Sequence, residues 1–420
     1  MSAGAKSAWI RWSAWFDDVD LRLDFPSGWS VRSCPPALAP DIGDHGVAAA
    51  FAAPIGTARL RERARGRTTA VVVIDDLSRP TRGERLIPPV LAELAAAGIP
   101  REQVTVLVGA ANHRVLMRAD LVKKLGEEVL RSCRVRNHFS WTGNRRIGVT
   151  ARGTPVELNE EFLAAEVKVL VGSIVPHPVT GFSGGAKLVL PAVASIDSAK
   201  AFHDGVPLPG ERIGMAETAA RHDADEAGRM AGVDFIVNSV PTPERGIAAL
   251  VTGDLVQAHR AGTEHARRVY ATADPGVVDV CVFSSYPKDN EFLQFSTALS
   301  PWLSSEHPLV RDGGTVVIAT ASTEGAGFHS LYGPGMPFGD LVARPVPGFD
   351  LVVFSPGVAT GDLTAAQRET IVLCGSWEAT RAWLSAKHGA HASVAVFPCG
   401  TTQLLAGAEL SNPVAGEAGV

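Results

Sequence analysis

A glycine-rich stretch with one lysine and flanking histidines carries the residues best suited to chemistry. His177 precedes the segment 181–187, which reads Gly-Phe-Ser-Gly-Gly-Ala-Lys, and His203 follows Lys187 by 16 residues. Glycines at the start of a helix let backbone N–H groups approach an anion closely. The segment is not a Walker motif, because alanine precedes the lysine and leucine follows it. We expect an anion-binding loop, and the alternative is a helix-terminal turn with a surface lysine.

The lysine of this loop is unusual in a chain that otherwise uses arginine for positive charge. Of the 39 Lys and Arg residues, only eight are lysines. An ammonium can lose its proton and become a nucleophile, whereas a guanidinium stays charged. The amine of Lys187 is therefore a candidate for covalent chemistry. His203 has no second histidine at a metal-binding spacing, so spacing alone favours a core or capping histidine over a ligand.

Short β-branched runs that alternate with a helical pattern predict a parallel sheet. The runs are 69–74, 103–108 and 167–175, and a helix is expected over 86–97. Polar clusters follow the three runs at 75–80 (DDLSRP), 112–114 (NHR) and 176–178 (PHP). Each cluster alone is equally well explained as a solvated turn. Ligands of open α/β sheets bind at the carboxyl ends of the strands, so the common placement of the clusters favours one site.

The remaining pattern predicts a second α/β domain. Residues 9–25 indicate an N-terminal strand or hairpin, and residues 195–268 indicate mainly helix with one strand over 235–240. A break at 272–276 precedes new strands over 277–283, 315–318, 351–354 and 393–397. We predict an α/β fold of two domains with mainly parallel sheets, 1–274 and 275–420, and an active site in the cleft between them.

Composition excludes several classes of protein. The 420 residues carry a formal charge of −5, which gives no basic surface for nucleic acid. No run approaches a membrane span, and the N-terminus lacks the apolar core of a signal peptide, so we expect a cytoplasmic protein. The five cysteines form no CxxC pair and are expected to be free, buried thiols. No G-x-G-x-x-G follows the first strand, which counts against a Rossmann-type dinucleotide site.

The series DDLSRP, GANHR and PHPVTGFSGGAK, with a lone histidine 16 residues after the lysine, resembles the nickel-dependent lactate racemase family. The resemblance extends over nearly the whole chain. Members of the family use a nickel-pincer nucleotide, a pyridinium-derived mononucleotide joined to a lysine through a thioamide. The resemblance implies a 2-hydroxy acid as substrate, cofactor-assembling enzymes as partners, and a monomer or homodimer.

The resemblance also implies roles for individual residues. Lys187 would anchor the cofactor, His203 would bind nickel, and His113 and His177 would be the acid/base pair. A soft covalent pincer explains why one imidazole suffices as the protein ligand. Further contacts are implied for Asp76, Gly184 and Gly185 with the cofactor, and for Arg79, Gln294 and Thr297 with the substrate.

Thr297 is a departure from the family, whose lactate-type pattern has a lysine at this position. Loss of that ammonium would remove a charge-assisted hydrogen bond to a carboxylate, worth roughly 1.5 to 3 kcal/mol. We therefore expect a substrate other than lactate, a larger hydroxy acid or a polyol acid. The alternatives are an NAD(P)-type α/β oxidoreductase and a non-catalytic metal- or nucleotide-binding protein.

Overall fold

The structure, a computed structural model, describes residues 6–37, 39–204, 213–333, 335–338 and 348–406. Its strands are β1 Lys6–Trp12, β2 Val19–Phe25, β3 Ser30–Ser33, β4 Ala70–Asp75, β5 Val104–Gly109, β6 Arg134–Asn137, β7 Asn144–Val149, β8 Pro155–Asn159, β9 Val167–Ser173, β10 Pro176–His177, β11 Gly181–Phe182, β12 Phe235–Pro241, β13 Ile247–Gly253, β14 Ala271–Thr272, β15 Val278–Ser284, β16 Val310–Ala319, β17 Asp350–Phe354, β18 Ile371–Cys374, β19 Ser393–Phe397 and β20 Leu404–Leu405. Its α-helices are α1 Gly43–Ala52, α2 Leu60–Arg63, α3 Gly83–Ala96, α4 Arg118–Ser132, α5 Glu160–Ala164, α6 Ile196–His203, α7 Ala219–Met230, α8 Gln257–Tyr270, α9 Ser300–Leu303, α10 Ala365–Thr370 and α11 Trp377–His388.

The first large sheet has the strand order β13-β12-β9-β4-β5-β6, and all neighbours are parallel except β12 and β13. Its central strands are runs of valine, isoleucine and leucine, which suit a strand buried on both faces. Val71 and Val73 point into one apolar core, and Val72 and Ile74 point into another. This alternation follows from the two-residue period of a strand. Helices on both faces therefore fix the sheet, and its carboxyl edge is left for a site.

The second large sheet has the order β18-β17-β16-β15-β19-β3, and all of its neighbouring strands are parallel. Cys281 and Phe283 of β15 face one core, while Val280 and Val282 face the other. The predicted α/β class with mainly parallel sheets is confirmed. The five cysteines are free, as expected, and Cys133 is only half-buried, unlike the other four.

One detail of the sequence prediction is wrong. The segment 195–268 contains β13, which pairs antiparallel with β12 at the edge of the first sheet. The apolar residues of this strand follow no clear two-residue period, so the sequence pattern does not distinguish the strand from a helix.

The N-terminal strands join the second sheet rather than the first. β3 pairs with β19, and the β1–β2 hairpin buries Ala8, Ile10 and Leu23 in the core on one face of that sheet. This long-range pairing leaves no trace in local sequence. The division at 274/275 stays a prediction of domain bounds, although residues 6–33 lie with the second half. No helix in the described part of the chain has the length and apolar character needed to cross a membrane.

Candidate active site

A cavity of about 530 Å³ opens at the carboxyl ends of β4, β5 and β9 and is closed on its other side by residues of the second half. Nine of the ten residues singled out from the sequence line it: Asp76, Arg79, His113, His177, Gly184, Lys187, His203, Gln294 and Thr297. The structure thus brings residues that are up to 221 positions apart in the chain together around one cavity. Gly185 is the residue that the described cavity wall does not include.

The glycine-rich segment forms a tight hairpin followed by a short turn. His177 of β10 pairs with Gly181 of β11, and residues 185–188 form a 3₁₀ turn that carries Lys187. Gly184 and Gly185 have φ angles of +76° and +55°, a region that side chains with a Cβ rarely adopt. A Cβ on Gly185 would lie 2.8 Å from the ring of His259. Glycine is therefore required at this position by both backbone and space.

Neighbouring helices and strands hold this segment from behind. Arg221 of α7 donates hydrogen bonds to the carbonyls of Gly184 and Phe182, the first at 3.1 Å. His259 of α8 lies 2.9 Å from the carbonyl of Ser183. Both side chains are buried and neither was predicted from the sequence. These contacts hold the loop that carries Lys187 in a fixed position.

The backbone amide of Gly185 bonds to another part of the protein and is not free for a ligand. It donates to Oδ1 of Asn238 in the middle of β12, at 2.7 Å. The amide of Ser183 likewise donates to the carbonyl of Val175 at 2.8 Å. The expectation that these amides are free to bind an anion is therefore wrong for Ser183 and Gly185. A signal was present, since Asn238 interrupts an otherwise apolar strand.

Lys187 and His177 form a close pair in the cavity. The amine of Lys187 lies 2.7 Å from Nε2 of His177. Nδ1 of His177 accepts the backbone N–H groups of Val179 and Thr180, at 3.2 and 3.4 Å, so the proton of the neutral ring sits on Nε2. That Nε2–H then donates to a neutral amine.

The electrostatics agree with a neutral pair. Burial lowers the pKa of Lys187 well below its usual value, and the charge of Arg79 acts in the same direction. Burial and the charge of Lys187 lower the pKa of His177 in the same way. An unprotonated amine is a nucleophile, so this lysine is prepared for covalent attachment.

His203 at the end of α6 presents an unprotonated nitrogen. Its Nδ1 lies 2.7 Å from the carbonyl of Ala199 and donates to it, which leaves Nε2 with a free lone pair. Phe202 and Phe338 contact the ring edge to face, with centroids 5.0 and 5.2 Å away. Burial lowers the pKa of His203 to about 3, and the charge of Lys187 contributes. This arrangement is typical of a metal-ligating histidine, whose other nitrogen is fixed by a carbonyl.

His113 is held by a carboxylate. Its Nδ1 lies 2.9 Å from Oδ2 of Asp76, and Oδ1 of Asp76 accepts from the amide and hydroxyl of Ser78 at 3.0 and 2.5 Å. Burial alone would raise the pKa of Asp76, but His113, Ser78 and Arg79 together hold it far below its usual range. The ionised carboxylate fixes the Nδ1–H tautomer of His113. Nε2 is then the nitrogen that can accept or release a proton.

The loop that carries Asp76 and Arg79 is braced by a buried lysine of α4. Lys124 donates to the carbonyls of Asp76 and Arg79, at 2.7 and 3.1 Å, and pairs with the carboxylate of Asp75 at 2.7 Å. The guanidinium of Arg79 is bonded only to Ser78 among the described residues, at 2.9 and 3.1 Å. Most of the Arg79 donors therefore remain available to a bound anion.

The second half contributes Gln294, Thr297 and two residues that sequence reasoning missed, Lys288 and His329. Gln294 donates to the carboxylate of Glu291 at 2.5 Å, and Thr297 donates to the carbonyl of Gln294 at 2.7 Å. The ring of His329 lies 4.7 Å from that of His113, centroid to centroid. The scarcity of lysine that singled out Lys187 could also have drawn attention to Lys288. No pattern in the sequence marks His329.

Comparisons with known proteins agree with this geometry. A family model described as the lactate racemase N-terminal domain matches residues 16–214. A lactate racemase of Lactiplantibacillus plantarum is 27% identical over 287 residues, and one of Thermoanaerobacterium thermosaccharolyticum is 28% identical over 286 residues. Each match covers 66% of this chain and 66% of the relative. The chain is therefore similar to lactate racemases, most clearly over residues 16–214.

Solved structures show a shared fold over more of the chain. The lactate racemase apoprotein of T. thermosaccharolyticum superposes with a TM-score of 0.75 at 20% identity, covering 96% of this chain and all of that one. A Thermotoga maritima protein superposes with a TM-score of 0.65 at 16% identity, covering 87% of this chain and 99% of that one. The region matched by the family model includes every candidate from Asp76 to His203. Lys288, Gln294 and Thr297 lie outside it.

Proposed function

We propose that the protein is a racemase or epimerase of 2-hydroxy acids that works with a nickel-pincer nucleotide attached to Lys187. One observation carries the proposal: a buried lysine whose pKa is lowered by burial, a histidine with a free Nε2 and two further histidines face a single cavity. The relatives, which are named lactate racemases, support the broader assignment to a racemase.

The residues present fit the proposed cofactor. Lys187 offers the neutral amine that a thioamide bond requires, and His203 offers one imidazole nitrogen to nickel. Within the described residues, no group of three or more His, Cys, Asp or Glu is placed to hold a metal ion. Nickel at this site would therefore take its other ligands from the pincer itself, which agrees with the preference of soft sulfur donors for such metals.

The two remaining histidines suit an acid/base pair. When bound, the cofactor supplies an acceptor and donor of hydride at C2 of the substrate. His113 or His177 takes the hydroxyl proton at Nε2 as C2 is oxidised, and the resulting planar 2-keto acid has no stereocentre at that carbon. For His177 this requires that the ring proton moves to Nδ1 and that the long bonds from Val179 and Thr180 open. The other histidine returns a proton when hydride re-enters the opposite face. Imidazole suits both directions because it accepts and releases protons near neutral pH.

The proposal is tested by producing the protein together with cofactor-assembling enzymes. We expect an intact mass increased by the adduct, nickel bound at about one equivalent, and loss of optical rotation with a panel of 2-hydroxy acids. Lys187→Ala should lose the adduct, the nickel and the activity, whereas the control Lys200→Ala, an exposed lysine of α6, should keep all three. Wild-type protein with neither adduct nor nickel would overturn the proposal.

A labelled substrate separates hydride transfer from other chemistry. A 2-hydroxy acid deuterated at C2 should racemise with its deuterium retained, because the hydride leaves and re-enters without meeting water. Washout of the label into water would instead indicate proton abstraction at C2. A change in NAD(P)H absorbance that depends on the substrate would indicate the alternative oxidoreductase.

A further inference from the structure

Lys288 is a buried amine that faces the cavity, and its side chain has no partner among the residues that the structure describes. Burial, and then the charge of Arg79, lower its pKa well below the usual value, so the amine is charged only when an anion lies beside it. Its side chain is 4% exposed and lines the cavity beside Arg79 and His177. Among the residues that the structure describes, its amine makes no hydrogen bond and no ion pair, although its backbone amide donates to the carbonyl of Ser285 at 2.8 Å. A buried ammonium is costly unless an anion or a set of acceptors receives it. Lys288 also borders a second cavity, but this one holds only about 20 Å³, so the large cavity is the side from which an anion can reach the amine.

Its neighbours in the chain explain why Lys288 stays in this position. Tyr286 donates its hydroxyl to Asp18 at 2.7 Å, and the carboxylate of Asp289 accepts the backbone amides of Ser13 and Ala14 at 2.6 and 3.1 Å. The segment is therefore fixed from both sides by the N-terminal residues. These contacts place the amine in the cavity at the expense of its hydration. Such an arrangement is typical of a binding group rather than of a group that stabilises the fold.

The position of Lys288 relative to the acid/base residues indicates which anion it receives. A proton on Lys288 would lower the pKa of His177, and Asp76, the partner of His113, raises the pKa of Lys288 against the larger effects of burial and of Arg79. It therefore lies among the groups that exchange the hydroxyl proton. A 2-hydroxy acid has its carboxylate on the carbon that bears that hydroxyl. The phosphate of a mononucleotide, in contrast, lies a ribose away from the reacting ring.

We propose that Lys288 binds the carboxylate of the 2-hydroxy acid, together with Arg79, and takes the place of the lysine that is absent at Thr297. The inference rests on the proposed function for the identity of the anion. Thr297 cannot serve, because its hydroxyl is already bonded to the carbonyl of Gln294. The charge that the family places at one position is thus supplied here from a point nine residues earlier in the chain.

The test compares wild type with Lys288→Met, which keeps the length of the side chain and removes its charge. Calorimetry with the protein free of cofactor should show 2-hydroxy acids binding about 10- to 100-fold more weakly to the variant. In the cofactor-loaded enzyme KM should rise by the same factor while kcat changes little, because a carboxylate is bound equally before and during the reaction. Lys200→Met serves as the matched control.

A second ligand makes the test specific for the carboxylate. The amide of the same 2-hydroxy acid should bind wild type about as weakly as the acid binds Lys288→Met, and the variant should no longer distinguish acid from amide. The variant should carry the same adduct mass at Lys187 as wild type, and its melting temperature should equal or exceed that of wild type. Removing an unpartnered buried charge does not destabilise a fold, whereas removing a structural lysine does.

Different results would overturn the inference without touching the proposed function. Unchanged affinity and KM in Lys288→Met, with racemisation intact, would exclude Lys288 from carboxylate binding. Loss of the adduct with unchanged affinity for the acid would assign Lys288 to the cofactor phosphate. Absence of acid binding by the wild-type protein would also refute the inference, whereas failure of the proposed function appears separately as missing adduct and nickel.

Discussion

The two walls of the cavity differ in how their polar groups are held. The first wall, formed by residues 75–203, orients its histidines and lysine through a dense set of hydrogen bonds, such as those of Asp76 to His113 and of Ala199 to His203. In the second wall, whose residues 288–303 line the cavity, Gln294 and Thr297 bond within their own segment, and the one lysine, Lys288, lacks a partner among the described residues. In the wall proposed for chemistry, hydrogen bonds within the protein thus orient the reactive side chains before any ligand binds. In the wall proposed for recognition, a charge is left for the ligand to satisfy.

The strongest way to break this comparison is to remove a proton carrier from the first wall. His113→Gln retains a hydrogen-bond donor toward Asp76 but cannot exchange a proton, so kcat should fall about 10²- to 10⁴-fold. The adduct at Lys187 should form normally. The measurement is the rate of racemisation with the intact mass as a check, and the exposed His45→Gln is the control. Full activity in His113→Gln would favour the non-catalytic binding protein.

A smaller effect is expected from a change in the glycine-rich loop that carries Lys187. Gly185→Ala forces a Cβ to within 2.8 Å of His259 at a φ of +55°. Strain of this kind costs about 1 to 3 kcal/mol, and the displaced loop should take up less cofactor. Urea denaturation and adduct mass measure the two effects. Gly375→Ala, where a Cβ meets open space, should behave as wild type. Equal behaviour of the two variants would contradict the conclusion that the loop is held in a fixed position.

The response to acid should sharpen the comparison, because buried neutral histidines concentrate in and behind the first wall. Burial lowers the pKa of His138 to about 4, and that of His203 to about 3. The unfolded chain binds their protons near pH 6.5, so this stability is present above about pH 6.5 and is lost as the pH falls toward 4.

Replacement of one such histidine tests the origin of the acid response. In His138→Gln, the fall in the free energy of unfolding between pH 7.5 and pH 5 should be smaller by about 2 kcal/mol. Urea titrations at the two pH values provide the measurement. The exposed His45→Gln should leave the fall unchanged. An identical fall in wild type and His138→Gln would show that His138 is not held neutral.

The smallest effect is expected in the second wall, from restoring the lysine of the lactate-type pattern. If Lys288 already receives the carboxylate, Thr297→Lys should change KM for lactate by less than about tenfold, which corresponds to about 1.4 kcal/mol. Thr297→Val, which keeps the shape of the side chain but lacks the hydroxyl, controls for loss of the hydrogen bond to the carbonyl of Gln294. A larger gain in affinity for lactate would show that the second wall lacks the charge that we assign to Lys288.

Much of the first wall could be predicted because it depends on local sequence. Apolar runs fix β4, β5 and β9, and residues directly after parallel strands must meet at one edge of the sheet. Asp76, His113 and His177 follow from that rule, and the family resemblance adds Lys187 and His203. The second wall was harder to predict from the sequence. Gln294 and Thr297 came from the resemblance alone, while Lys288 and His329 stood in segments whose local pattern indicates nothing about their environment.

The sequence by itself determined the α/β class, the central strands of both sheets and the loop that carries Lys187, because strand period, glycine and residue chemistry act over a few positions. Only the tertiary structure decided that β3 and the N-terminal hairpin join the second sheet, and that Gly185 bonds to Asn238. It also decided that Lys288 lies buried and unpartnered in the cavity. Pairing of distant strands and burial of a charge depend on contacts between residues far apart in the chain. Such contacts leave no periodic pattern in the sequence.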